Sequence, residues 1–135
     1  MNKEEIVIDA KGGVLGRVAS YAAKQALLGR KVAIVNCSDV LVSGKRANII
    51  GEYQHARRRG GSSLKGPFFP KDPQRVMKRT IRGMLSYTQQ RGLDALKRTM
   101  CYNKIPKEYE AAKKITLARE MRTKAITLAE VERVI

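Results

Sequence analysis

Tryptophan is absent, phenylalanine occurs twice, histidine once, and the acidic residues number 12 against 28 lysines and arginines. Without tryptophan, and without an amphipathic helix that carries large aromatics on its apolar face, docking on an anionic membrane is a poor reading. No apolar stretch approaches the roughly 20 residues that cross a bilayer. The opening MNKEEIVID has no apolar core of signal-peptide length, so the chain is expected inside the cell. Cysteine is nearly as scarce. Cys37 and Cys101 stand far apart with no Cys or His at metal-ligand spacing, and both read as reduced, semi-buried thiols. His55 sits among basic residues with no Ser, Cys or carboxylate arrangement to orient it as a general base, so it reads as a surface histidine. No metal, cofactor or catalysis is expected.

What is abundant is positive charge on a chain able to fold. At 135 residues the sequence is long enough for one domain with a real core and too short for two of similar size, so residues 1–135 are read as a single domain. A 43% hydrophobic content sets it apart from disordered basic tails, which lack the residues to build a core. The net charge of +16 costs self-repulsion in the compact state, and a polyanion that neutralises it is the direct explanation.

The first third organises the fold. Ile6-Val7-Ile8 is a β-branched run of the kind buried on both faces of a sheet, and Gly12-Gly13 permit a sharp turn after it. From Val14 the apolar residues switch to helical spacing through Val18, Ala19, Ala22, Ala23 and Ala26. Gly29 suits a left-handed helix cap. Lys31 to Asn36 is a second apolar run, so strand, helix and strand form a right-handed parallel crossover. Val40-Leu41-Val42 is either a third strand or the end of that crossover.

Beyond it, a helix is expected from Lys45 to about Arg57, with Ala47, Ile50 and Tyr53 or Gln54 on one side. Residues 60–72 then lack periodicity and hold two of the four prolines, which marks an extended loop with a functional role. Phe68-Phe69 in that loop either stack on splayed bases or tack the loop to the core. Asp72-Pro73 starts another helix strongly. Val76, Met77, Thr80, Ile81, Met84 and Leu85 fall on one face of it, while Arg75, Lys78, Arg79 and Arg82 form an outward stripe. A short helix over 93–100 anchored by Leu93 and Leu96, a last strand from Cys101, and a surface tail over 107–135 complete the chain. Thr127 and Glu130 form a capping box for a terminal helix in that tail.

Charge locates the function. Residues 44–82 hold eleven basic and two acidic groups, a net +9, which is more than half of the total excess. A solvated face kept for solubility would need no such clustering, and arginine, which dominates here, forks onto phosphate oxygens and stacks on bases. A dinucleotide site is the competing enzyme reading. Gly13 and Gly16 fill two places of G-x-G-x-x-G, but Lys11 replaces the first glycine and no second half follows. No glycine stands five positions before any Gly-Lys pair, so the Walker pattern is missing as well.

Val7-Ile8-Asp9-Ala10 with Leu15-Gly16-Arg17, Ala19-Ser20, Val35-Asn36 and Ser43-Gly44 resembles the opening of the universal large-subunit ribosomal protein thirteen family. Gly66-Pro67, Arg82-Gly83-Met84-Leu85, Arg91-Gly92, Ala95-Leu96 and Tyr102 to Pro106 resemble its archaeal and eukaryotic branch. The match runs through essentially the whole chain in order. The resemblance implies an α/β class, a three-layer α/β/α fold around a four-stranded parallel sheet with a basic loop and helices extending from it. It also implies a non-catalytic role in the cytoplasmic ribosome, binding large-subunit ribosomal RNA beside neighbouring ribosomal proteins and supporting assembly, without homo-oligomers. Two departures stand out: Ser86 where the family has proline after Met-Leu, and Lys104 where it has glycine before Ile-Pro. The first bears on how sharply the chain turns after the basic helix, and the second adds a cation. The residues expected to meet RNA are Lys11, Arg17, Lys45, Arg46, Arg57, Arg58, Arg59, Lys65, Lys71, Arg75, Lys78, Arg79, Arg82, Arg91 and Lys104. A free nucleic-acid-binding regulator is the alternative, and sedimentation with or without large subunits separates the two.

Overall fold

β1 (Glu5–Asp9) and β2 (Lys31–Val35) pair in parallel, from Glu5 opposite Lys31 to Asp9 opposite Val35, and α1 (Leu15–Leu27) crosses between them. The computed structural model describes residues 5–58, 69–118 and 123–135. Val7 and Ile8 face opposite sides of the sheet and both are buried, as are all residues from Val32 to Val35. Such a pair needs cover on both faces. On the first, α1 lays down Val18, Ala19, Ala22, Ala23 and Ala26, small side chains that let the helix axis approach the strands closely.

Local chemistry fixes both ends of that helix. Gly12 has φ +75°, and a Cβ on Gly13 would lie 2.7 Å from Cγ2 of Val18, so the turn needs glycine at both positions. At the other end Gly29 has φ +94°, its N–H donates to Ala26 O at 3.1 Å, and Arg30 N–H donates to Gln25 O at 3.3 Å. This is the Schellman arrangement expected of Gly29. The loops at the strand ends are tied by Asp9, whose carboxylate accepts from Lys11 N–H at 3.1 Å and Asn36 Nδ2 at 2.9 Å.

Two three-residue strands widen the sheet: β4 (Thr99–Cys101) beside β2, and β5 (Lys114–Thr116) beside β1. With β3 (Leu41–Ser43) and β6 (Ala125–Thr127) numbered in chain order, the main sheet runs β4-β2-β1-β5, all parallel. The class and the four parallel strands are those expected, but their membership differs. Residues 114–116 of the tail, none of them buried, supply an edge strand that the sequence pattern does not announce. A 3-10 turn, Cys37–Asp39, precedes the run at Val40–Val42, which leads into β3, a strand that pairs antiparallel with β6 in a separate ribbon.

The remaining helices are α2 (Arg46–Arg58), α3 (Pro73–Met84), α4 (Gln90–Lys97) and α5 (Leu128–Val134). α3 and α4 pack on α1, joining Val76, Met77, Ile81 and Ala95 to Ile8, Val32 and Ile34 in one core. Val7, Ala33 and Val35 on the opposite face lie beneath Tyr102, Ile105, Tyr109 and Ala112. Among the described residues this second cover is connecting chain and one 3-10 turn, Lys107–Tyr109, rather than a long helix. A satellite cluster of Ile49, Ile126 and Val131 seats α2 on the ribbon and α5. On α2 the buried position is Ile49, whereas Ala47, expected inward, is exposed. α4 begins at Gln90, three residues before the expected Leu93, and its buried residues are Gly92 and Ala95. Thr127 caps α5, its Oγ1 accepting from Glu130 N–H at 3.3 Å.

At Gly92 the chain after α3 passes close to α4: a Cβ there would stand 2.1 Å from the carbonyl oxygen of Ser86. Backbone cannot give way as a side-chain tip does. Gly92→Ala is expected to lower unfolding free energy by about 3 kcal/mol or more through overpacking. Gly51→Ala, in the exposed middle of α2 with nothing within 4 Å of the new methyl, is expected to raise it by about 0.5–1 kcal/mol. Urea unfolding of the two variants checks both signs.

Candidate nucleic-acid interface

Among the described residues, Phe69 links the C-terminal half of α2 to α3. Arg57 Nη1 donates to the Phe69 carbonyl at 3.0 Å, the Phe69 ring meets Tyr53 edge-on with centroids 5.4 Å apart, and the Arg79 guanidinium lies 4.8 Å above the same ring. Phe69 is half-buried against the main core, so of its two expected roles it performs the tacking one. Phe68 lies outside the described residues. The stacked guanidinium keeps its edge free for phosphate while its face gains a cation–π contact.

α3 turns the rest of its basic stripe to one groove of about 350 Å3, lined by Arg75, Arg79 and Arg82 with Pro70 and Leu96. Arg75 and Arg82 are exposed, and Arg82 lies 5.1 Å over the Tyr87 ring. Positions 75, 79 and 82 follow at four and three residues, one face of a helix, opposite the buried Val76, Met77 and Ile81. A second groove, of about 390 Å3, opens between α2 and α3 beside Tyr53, Phe69 and Arg79.

The start of α3 is held by a residue that the sequence did not single out. Asp72 precedes Pro73 at the expected cap position, yet its side chain makes no capping bond. Asn103 does the work from across the chain, its Oδ1 accepting from Gln74 N–H at 2.9 Å and its Nδ2 donating to Asp72 Oδ1 at 2.8 Å. One orphan helix donor is thereby satisfied. The exposed Lys71 and Lys104, sequence neighbours of Asp72 and Asn103, are thus gathered at the same helix end. Only the short Tyr102 to Pro106 run hinted at this, and a partner 31 residues away gives no local signal.

Lys78 departs from the expected stripe. Its stem lines the α3 groove, but its Nζ turns inward and donates to the carbonyls of Leu96, at 2.6 Å, and Thr99. Burial pushes its pKa below the ordinary lysine value. The ammonium caps the C-terminal end of α4, where a cation also suits the dipole.

Other expected residues are exposed but stand elsewhere. Lys45 and Arg46 lie at the far end of α2, Lys11 in the turn before α1, and Arg17 in a shallow groove with Tyr21 and Leu117. Arg91, on α4, lines yet another groove, on the side of α1. Arg59, Lys65 and most of the expected loop over 60–72 lie outside the described residues. His55 is exposed near the end of α2.

The two cysteines, distant in sequence, meet in the fold. Cys101 pairs with Ile34 in the sheet register, and Cys37 N–H donates to Tyr102 O at 3.0 Å. The Cys101 thiol beside it, together with burial, drives the Cys37 thiol far above the ordinary range, leaving it inert. Among the described residues no group of three or more His, Cys, Asp or Glu is placed to hold a metal, and no helix is long and apolar enough to cross a membrane.

Comparison with known proteins accords with this geometry. The family described as Ribosomal protein L13 matches residues 3–108. The large ribosomal subunit protein uL13 of Methanosarcina barkeri is 47% identical over 131 residues, covering 93% of this chain and 93% of the relative. Its counterparts in Methanococcoides burtonii and Methanocaldococcus jannaschii are each 40% identical, covering 94% of both chains in each case. A fold of this class, arginines gathered beside α3 and a match of such extent lead to one conclusion: the chain belongs to the ribosomal protein L13 family.

Proposed function

We propose that this protein is a structural constituent of the large ribosomal subunit, without catalytic activity, that binds large-subunit ribosomal RNA and supports assembly of the particle. The relatives' role as large-subunit proteins supports the setting. The observation that carries the RNA contact is the convergence of Arg57, Arg79 and the 69–71 segment with the Arg75 and Arg82 face of α3. Lys71 and Lys104 extend that face at the start of α3, Arg58 extends it from α2, and Lys45, Arg46, Lys11 and Arg17 make outlying phosphate contacts, whereas Arg91 lines a separate groove beside α1 and stands apart from this set. Arg59 and Lys65 belong to the same proposed set. The rigid sheet and α1 hold these cations in a fixed pattern, so recognition is by phosphate position and RNA shape more than by base identity.

Each neutralised phosphate releases condensed counterions, so affinity falls with salt. Arg75→Ala with Arg82→Ala, and separately Arg57→Ala with Arg58→Ala, should lower the slope of log affinity against log salt by on the order of 1 per arginine while the protein stays folded. Filter binding to large-subunit ribosomal RNA across a salt series reads this, and unchanged affinity removes the assignment. Sedimentation of an extract tests the setting, since finding the chain away from large subunits would favour a free nucleic-acid-binding regulator.

Lys78 should behave in the opposite manner. Lys78→Met leaves two inward carbonyls without their donor and is expected to cost about 1–3 kcal/mol of stability with no change in salt slope. A lost slope with unaltered stability would return Lys78 to the RNA-binding set.

A further inference from the structure

Single apolar side chains on a surface are ordinary, but among the described residues two of the exposed large ones share one groove. Leu28 is 64% exposed and Met84 46% exposed. Together with Leu27 and the buried Ala23 they line a groove of about 580 Å3 at the end of α1, where α3 ends and α4 begins. Lys24 and Arg91 stand at its margin, both exposed. This groove shares no lining residue with the arginine groove of α3.

We propose that this groove docks an amphipathic segment of a second protein of the particle, one that presents an apolar anchor flanked by aspartate or glutamate. Resting on the ribosomal reading above, the inference assigns the partner's chemistry from the groove itself. Leu27, Leu28 and Met84 have neither a ring to stack on a base nor a donor for phosphate, so RNA would engage only Lys24 and Arg91 here and leave the apolar floor without a partner. A leucine, methionine or phenylalanine anchor fits, and the pliable Met84 side chain adapts to its shape. The two cations at the margin select acidic neighbours for that anchor and repel basic ones. A second copy of this chain is disfavoured by its own net charge of +16.

The test uses the tagged full-length chain assembled into large subunits, with p-benzoylphenylalanine replacing Leu28 in one version and Met84 in another. The unsubstituted tagged chain must first sediment with large subunits. If it does not, the ribosomal reading fails and this inference falls with it. After irradiation of the isolated particles, the expected result is an adduct that survives ribonuclease, is lost to protease, and forms from both positions. Lys24→Glu should lower its yield about tenfold or more, whereas Lys24→Arg should keep it. A ribonuclease-sensitive adduct, an adduct of two copies of this chain, no adduct from either position, or indifference to Lys24→Glu would each overturn the docking proposal while leaving the ribosomal reading intact.

Discussion

Parallel strands cannot be joined by a tight turn, and the crossover that joins β1 to β2 must also hide one face of both. α1 meets that demand with Ala19, Ala22, Ala23 and Ala26, which let it sit low on the sheet. A low helix leaves room for a second tier. α3 and α4 pack on α1 and extend the same core, with Met77 and Ile81 fully buried. Large residues at the alanine positions would lift α1, and α3 would lose its seat. The placement of the arginines therefore depends on side chains that carry no charge.

α3 shows how one helix serves interior and exterior together. Its buried side supplies apolar contacts worth roughly 1.5–3 kcal/mol for each fully buried large residue. Such contacts secure a row of mutually repelling cations, which would not hold together unaided. Lys78 marks the limit of the division. It stands three residues before Ile81 and seven before Leu85, both buried, so helical geometry carries it toward the interior, where carbonyl groups of α4 and β4 receive its charge.

That spacing was available in the sequence, and the inward turn of Lys78 was legible in principle. Elements with strong patterns of their own are legible in the sequence: β1, α1 with its Gly29 cap, β2, the start of α3 at Asp72-Pro73, and the Thr127 cap of α5. Elements made by their partners are not. Lys114-Ile115-Thr116 holds one apolar residue and becomes a strand because β1 offers it a free edge. Leu41 to Ser43 could not declare itself, since its partner lies over 80 residues away at Ala125 to Thr127. The candidate interface divides the same way. Its arginines were visible as a charge cluster, while the Asn103 clamp and the Phe69 contacts depend on chain segments that only the fold brings together.

The pairing of β5 with β1 has a consequence for synthesis. Val7 stands opposite Lys114, so one margin of the sheet stays unpaired until residues 114–116 have been made. Throughout that interval the nascent polypeptide displays an unsatisfied row of amide and carbonyl groups from β1, and closing so distant a loop is slow. Mutual repulsion among its many like charges then serves a second purpose, keeping incomplete copies from zipping together along that open border.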